Sequence, residues 1–564
     1  MNSSTFVSES IMQTPPIVWT IAGSDSGGGA GIQADLLTMQ DLSCHGCSVI
    51  TTLTAQNSVS VSLVETVSES MLLAQLTSLC ADLPPVAIKI GLLASQAQVY
   101  ILADWLTQIR SRLIMAPFVV LDPVMVASSG ASFNPMDLDF SPLIGLIDLL
   151  TPNQHELGRL CHHCVLAQHR NDNLNLESSI EIDPISTLQL QMINDAKWLS
   201  NIFKCHVLAK GGDAHWQHDA TDIYVSTSVP GASVAHSNAV FMLSSQRIVT
   251  NNNHGSGCTL SSAIACFIAH DLVIHDAIVL AKAYVNKGLA LGFSLGQGPG
   301  ILARTGWPDD LQAMPLIKLI TSDNLAQASF KHTAHNDFKS LLKPLGIYPV
   351  VDDLNILKQL LSAGCKTIQY RTKLDSDTCS DSLQRLTLET NIIEVIKLGR
   401  EFHAQLFIND HWQLAVKHGA FGVHLGQEDL ATADLTAIAA AGMALGLSSH
   451  SYFEALLAHQ YSPSYIALGH IFATTTKQMP SAPQGITKLT RYVSLFSRHY
   501  PTVAIGGINL SNLEVIAMTG VGDVAVVRAV SDAADPAKAY QALNHKWLQL
   551  TRSLSKPSVS AEVR

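Results

Sequence analysis

From Gly346 onward the sequence repeats one pattern eight times. The short apolar runs "IYPVVD", "TIQYRTK", "QLFIND", "GVHLGQED", "ALGLSSH", "YIALGHIF", "TVAIGGI" and "DVAVVRA" each end in polar or glycine residues. Each is followed by a segment able to supply a helix, such as "LNILKQLLSAG" or "NLEVIAMTG". Eight β/α units in about two hundred residues are what a TIM (β/α)8 barrel requires, and the strand ends are where such barrels carry their chemistry. With 564 residues the chain is too long for this barrel alone. Up to about residue 304, "PIVWTIAG", "VAIKIG", "FVVLDPVM", "LIDLLTPN" and "CHVLAKGG" alternate with helical patterns. That rhythm predicts an α/β domain with a mostly parallel sheet and helices on both faces. The expected division is a domain over 15–304, a join without clear period over 305–345, and the barrel over 346–552.

The glycine-rich stretch "TIAGSDSGGGAGIQADL" invites a phosphate-cradle reading. It lacks the Lys-Ser/Thr that ends a P-loop, and its glycines do not fit G-x-G-x-x-G. A tight strand-to-helix turn is equally consistent with it. The better anion site is "HGSGC", where Gly255 and Gly257 free the backbone amides at the start of an apolar helix. Cys258 sits in that first turn, so a lowered thiol pKa is expected there; a small buried cysteine is the alternative. In "TPNQHELGRL", Asn153 and Glu156 share a face at a helix start. They could organise Mg²⁺ through waters or simply cap the helix. Lys210 of "VLAKGGDAH" ends a strand and could meet phosphate or nucleotide.

The barrel's strand ends read as a charge map. Gln369, Arg371 and Lys373 alternate along "QYRTK" and so face one way. Asn409 and Asp410 end strand three, and Gln427 and Asp429 follow strand four. Asp410 and Asp429, on neighbouring strand ends, are expected to converge on one hard cation, most simply Mg²⁺. Thr474, Thr476 and Lys477 follow strand six, and Gly506 and Gly507 end strand seven, where barrels often bind phosphate through backbone amides.

The net charge of −11, without a basic run, argues against a nucleic-acid partner. The opening "MNSSTFVSES" has no secretory pattern. The longest apolar candidate, "SSAIACFIAHDLVIHDAIVLAKAYV", is interrupted by His270, Asp271, His275 and Asp276, so no membrane span is expected. The ten scattered cysteines suit reduced thiols in a cytoplasmic protein. "CHHC" at Cys161–Cys164 opens a polar segment over 161–183 and reads as a surface loop rather than a zinc site. "CHGC" at Cys44–Cys47 reads as a helix-ending turn at Gly46.

Taken together, "TIAGSDSGGGAGIQADL", "GCSVITTLTAQNSVSV", "KIGLL", "LDPVM", "TPNQHE", "KGG" and "HGSGCTLSSA" resemble the ribokinase-like superfamily. Within it they are most similar to the hydroxymethylpyrimidine and hydroxymethylpyrimidine-phosphate kinases. The resemblance implies a pyrimidine near Gly23, Asp35 and Gln56. It also implies ATP phosphates over Gly255 to Cys258, Asn153 and Glu156 near Mg²⁺, and Cys258 beside the attacking hydroxyl. The second block resembles thiamine-phosphate synthase through "GIYPVVD", "TIQYRTK", "LFINDHWQLAVKHGAFGVHLGQEDL", "YIALGHIFATTTKQMPSAPQG" and "TVAIGGI". That implies pyrophosphate release assisted by Mg²⁺, Arg371, Lys373 and Lys477, followed by capture of the pyrimidine by thiazole phosphate. Gln369, Asn409, Ser448, Thr474, Thr476, Gly506, Gly507, Val527 and Arg528 then fall at substrate positions. Arg528 departs from the serine frequent in that family, which puts the hydroxyl contact in doubt and leaves a backbone contact open. The expected protein is a bifunctional thiamine-biosynthesis enzyme with small-molecule substrates, expected to be a homo-oligomer. The rival is a pyridoxal- or sugar-type kinase fused to a phosphate-binding or vitamin-sensing barrel.

Overall fold

The computed structural model describes residues 14–125, 138–167, 184–227, 239–320, 337–372, 382–430, 432–474 and 482–554. These separate into two compact units, 14–308 with 312–320, and 309–311 with 337–554.

The first unit is built on ten strands: β1 (Ile17–Asp25), β2 (His45–Gln56), β3 (Val61–Thr66), β4 (Ala87–Ile90), β5 (Phe118–Leu121), β6 (Leu149–Leu150), β7 (His206–Ala209), β8 (Ala220–Val225), β9 (Val240–Ser245) and β10 (Leu316–Ile320). They form one sheet in the order β10-β9-β8-β7-β6-β5-β4-β1-β2-β3. The centre, β2-β1-β4-β5-β6-β7, is parallel. Antiparallel strands extend it at both edges. β1 shows why helices cover both faces. Its side chains alternate, so Trp19 stacks on Trp105 of the helix Gln96–Arg112, with ring centroids 5.6 Å apart. Thr20, one residue on, instead donates its hydroxyl to Asp35 of the helix Gly31–Asp41 at 2.6 Å.

The second unit is a closed barrel of eight parallel strands: β11 (Ile347–Val351), β12 (Thr367–Tyr370), β13 (Gln405–Asn409), β14 (Gly422–Leu425), β15 (Ala444–Ser449), β16 (Tyr465–Gly469), β17 (Thr502–Ile505) and β18 (Asp523–Val526). β18 pairs with β11, so no strand edge remains. All eight strands fall on the eight apolar runs. Tyr348, Val350, Phe407, Ala444, Tyr465, Ala467, Val503 and Ala525 form a buried core cluster.

Three local expectations are corrected. The join is not without structure, because Leu316–Ile320 pairs antiparallel with β9 and extends the first sheet. "CHHC" is not a loop: Cys161–Cys164 continue the helix Gln154–Ala167, while residues 168–183 lie outside the described residues. The turn before β2 is made at Ser43, with φ of 60°. Gly46 is instead a strand residue, where a Cβ would crowd Leu36 and Met39. No described helix is long and apolar enough to cross a membrane.

Candidate active sites

In the first unit, β1, β2, β4, β5, β6 and β7 all deliver polar residues to the carboxyl edge of the sheet, the usual ligand crevice of open α/β folds. A cleft of about 550 Å³ lies there, with Gly23, Gln56, Asp122, Asn153, Lys210 and Cys258 among its walls.

The glycine loop at one end is not an open phosphate cradle. Asp25, the last residue of β1, already occupies its amides. Its carboxylate accepts N–H bonds from Gly27 at 2.8 Å, Gly29 at 3.1 Å and Ala30 at 2.9 Å. Burial works against the Asp25 charge, but His254 and the loop amides outweigh it and hold its pKa below the usual value. The other end is the start of the helix Ser256–Ala269. Gly255 leads into it with φ of 77°, and no side chain caps it. An uncapped 14-residue helix start facing a cleft suits an anion.

Between the ends lies a charge cluster. Lys210 donates to Asp122 at 2.7 Å and lies 3.9 Å from Glu156. Burial opposes the Lys210 charge, yet Asp122 and Glu156 outweigh it and the pKa rises. A Cβ on Gly257 would lie 3.4 Å from Lys210 Nζ, which places the ammonium directly under the helix start. Asn153 and Glu156 cap their helix reciprocally: each side chain accepts the other's backbone N–H, at 2.9 and 2.8 Å. Burial lifts the Glu156 carboxyl to about 7, with Lys210 opposing.

Two expectations fail here. Asp35 is fully buried and does not line the cleft. It is consumed by Thr20, by Lys89 at 2.8 Å and by Ser262 at 2.7 Å, so it anchors Lys89 rather than offering a face to a ligand. Cys258 does line the cleft, but burial pushes its thiol pKa up, and the charge of Lys89 opposes this without reversing it. A desolvated thiol overrides the helix-start effect. Asp122, Lys89, Asp25 and His254 were missed. "LDPVM" and "KIGLL" contained the first two, but the Lys210 partner of Asp122 is 88 positions away.

In the second unit, the Asp410 and Asp429 carboxylates come together where β13 and β14 end. Asp410 takes a left-handed backbone, φ 61°, as it leaves β13, and Asn409 donates to its carboxylate. Burial and the adjoining Asp429 carboxylate push Asp410 up to about 6, while Arg371 pulls the other way. Two hard-oxygen donors that repel one another fit a divalent cation, and Mg²⁺ commonly uses one or two carboxylates plus substrate phosphates. Gly506 and Gly507, with φ of 105° and 66°, pack so closely on His470 and Phe472 that a side chain would collide. Arg528 is exposed and begins a short helix directly after Val527. Thr474 is half-buried. Lys373, Thr476 and Lys477 lie outside the described residues.

Ser448 belongs to a chain of contacts that sequence reasoning missed. Gln369 donates to Tyr348 Oη at 3.2 Å, and Tyr348 and Tyr465 share a hydrogen bond at 2.8 Å. Tyr465 meets His424 Nδ1 at 2.7 Å, and His424 Nε2 meets Ser448 Oγ at 2.7 Å. Burial drives the His424 pKa down to about 3, so it is a neutral relay linking residues of β12 and β15. Inward-facing tyrosines in "IYPVV" and "YIALG" were the available signal.

A raised Asp410 has a measurable consequence. A cation binding there must displace a proton below about pH 6, so apparent Mg²⁺ affinity should climb as pH rises to 6 and level off above 7. Calorimetric titration of Mg²⁺ between pH 5 and 8 checks this, and Asp410→Asn should flatten the profile.

The two constellations define a kinase-type α/β crevice and a barrel with a carboxylate rim. The family model for phosphomethylpyrimidine kinase matches residues 25–303, and that for thiamine monophosphate synthase matches 347–530. A thiamine-phosphate synthase of Enterobacter sp. (strain 638) is 51% identical over 214 residues, covering 38% of this chain and 95% of that protein. The phosphomethylpyrimidine kinase structure from Clostridium difficile 630 is 30% identical, with a TM-score of 0.35, covering 48% of this chain and 97% of its own. A thiamine phosphate pyrophosphorylase structure from Pyrococcus furiosus is 29% identical, with a TM-score of 0.32, covering 36% and 96%. The chain belongs to the thiamine-phosphate synthase family through its barrel, joined in one polypeptide to a phosphomethylpyrimidine kinase domain.

Proposed function

We propose that the first unit phosphorylates hydroxymethylpyrimidine and then its monophosphate with ATP, and that the barrel couples the resulting diphosphate to thiazole phosphate. In the first unit the pyrimidine lies by Gly23 and Gln56, whose amide can pair with an aminopyrimidine edge. The ATP phosphates lie over Gly255 to Cys258, above Lys210. The hydroxymethyl oxygen gives up its proton to water and forms a bond to the γ-phosphorus as the bridging P–O bond to ADP breaks. Such transfer depends on alignment and charge stabilisation, which Lys210 and the helix amides supply. With its pKa raised, Cys258 acts as a thiol that hydrogen-bonds the hydroxyl rather than as a standing thiolate. Glu156 and Asn153 stand where they would help hold Mg²⁺ through waters.

In the barrel, the C–O bond to the diphosphate breaks, and the thiazole nitrogen forms a bond to the exposed methylene carbon. Asp410 and Asp429 would hold Mg²⁺, which when bound neutralises charge on the diphosphate. Arg371, Lys373 and Lys477 direct positive charge to the departing pyrophosphate, where negative charge develops. Gly506, Gly507 and the backbone at Val527 and Arg528 receive the thiazole phosphate, with Ser448, Thr474 and Thr476 beside it. Gln369 and Asn409 face the pyrimidine, and the tyrosine and histidine relay fixes Gln369 and Ser448. Localisation in the cytoplasm and self-association complete this reading.

The observation that carries it is the meeting of Asp410 and Asp429 beside Arg371, in a barrel 51% identical to a thiamine-phosphate synthase. The test supplies hydroxymethylpyrimidine, ATP, thiazole phosphate and Mg²⁺ and follows thiamine phosphate. Product formation dependent on all four is expected. No product from folded protein would defeat the reading.

A further inference from the structure

The two ends of the kinase cleft are joined by an unbroken run of contacts. Ser26 Oγ donates to the Gln56 carbonyl at 2.7 Å and accepts the Gln56 N–H at 2.8 Å. Its neighbour Asp25 gathers the amides of Gly27, Gly29 and Ala30, which fixes the path of the glycine loop. The same Asp25 oxygen that holds Gly29 and Ala30 also receives the His254 Nε2–H at 3.1 Å. The residue after His254 is Gly255, the start of the anion-binding turn. The Asp25 and His254 side chains are only 5% and 11% exposed, so water screens their bond little.

Packing makes this link stiff. A Cβ on Gly29 would overlap the His254 ring, and one on Gly255 would overlap the Gly29 carbonyl. Neither loop can move at that contact without displacing the other. The Asp25 carboxylate accepts from four donors at once, Gly27, Gly29, Ala30 and His254, which is more than a simple glycine turn requires.

We propose that Asp25 and His254 are positioning residues that couple the two substrates of the kinase. Nucleotide phosphates on Gly255 to Cys258 fix His254. His254 holds Asp25, Asp25 holds the loop, and Ser26 beside it holds the Gln56 backbone in the form that accepts the pyrimidine. Neither side chain touches the reacting atoms. Each substrate therefore tightens the binding of the other, by the same factor in both directions as linkage requires. This rests on the assignment of the pyrimidine to Gln56 and of the nucleotide to the helix start.

The test uses the full chain. Binding of hydroxymethylpyrimidine is measured by calorimetry with and without a non-hydrolysable ATP analogue and Mg²⁺, and the analogue is titrated with and without the pyrimidine. The wild type is expected to show about tenfold mutual tightening, within the usual span of such couplings. His254→Leu and Asp25→Asn should bring the factor close to one while each ligand still binds alone. His254→Gln, whose amide N–H can reach Asp25, should retain most of it. In turnover, His254→Leu should raise KM for the pyrimidine more than it lowers kcat. Wild-type coupling in a folded His254→Leu protein would overturn the inference, as would an absence of coupling in the wild type. His254→Gln behaving like His254→Leu would do the same. If Gln56→Ala leaves pyrimidine affinity unchanged, the site assignment fails and the inference falls with it. If Gln56→Ala weakens pyrimidine binding but His254→Leu does not uncouple the ligands, only the inference falls.

Discussion

Asp410→Asn is expected to reduce thiamine phosphate formation about a thousandfold while ATP-dependent phosphorylation of the pyrimidine continues at the wild-type rate. A bound metal contributes several kcal/mol of charge stabilisation, and each 1.36 kcal/mol is a factor of ten. The substitution removes one of two carboxylates and leaves the Asn409 contact, the β13 backbone and the barrel core unchanged in volume. The groups proposed for pyrimidine phosphorylation, Lys210 and the helix start at Ser256, lie in the other compact unit. Two assays on one preparation decide the matter, one following ADP and one following thiamine phosphate with diphosphate supplied directly. Loss of both activities in folded protein would contradict two separate sites. Retention of coupling would show that Asp429 suffices for the cation.

Gly255→Ala should cost the kinase about a hundredfold in kcat/KM for pyrimidine phosphorylation and leave the barrel reaction alone. Two effects combine. At φ of 77° an L-residue is strained by roughly 1–2 kcal/mol. The added methyl also overlaps the Gly29 carbonyl, a backbone atom that cannot rotate away. The turn at the helix start must therefore shift, and a displacement of about 1 Å at a reacting group can cost about a hundredfold. Gly28→Ala is the control. It has the same φ of 77°, but its Cβ would meet nothing within 4 Å. It carries the strain without the collision, so a loss of only a few-fold is expected. Equal losses in the two variants would show that backbone strain, not the collision of the two loops, is what matters.

The barrel was legible because its strands are short, apolar and closed by polar or glycine residues, so periodicity and strand ends coincide. Asp410 and Asp429 could be paired from sequence because adjacent strands of a parallel barrel bring their carboxyl ends together. The edges of the first sheet were harder. Nothing in the period of "ATDIYV" or "LIKLI" distinguishes an antiparallel edge from a parallel centre, and Leu316–Ile320 was assigned to the join. The role of Asp35 is hidden from the sequence for a related reason. Its place on a helix after the glycine loop is visible in sequence, but its saturation by Thr20, Lys89 and Ser262 depends on contacts up to 227 positions apart. The Cys258 thiol was expected to respond to the helix start, yet burial governs it, and burial is a property of the whole unit.

The carboxylate inside the glycine loop has an electrostatic consequence for how the cleft fills. One end carries a built-in anion at Asp25, and the other carries uncapped helix amides over an ammonium. Asp25 has spent the loop's amides and Lys210 is paired with Asp122, so the helix start keeps the amides left open to an anion. On the proposed assignment, nucleotide phosphates find their donors at the helix, whereas an uncharged pyrimidine alcohol needs none from the loop amides. On the same assignment, the monophosphate would enter for its second phosphorylation with its phosphate toward the helix start and its ring toward the loop. By occupying one set of amides, a single carboxylate would leave the other set to orient all three ligands.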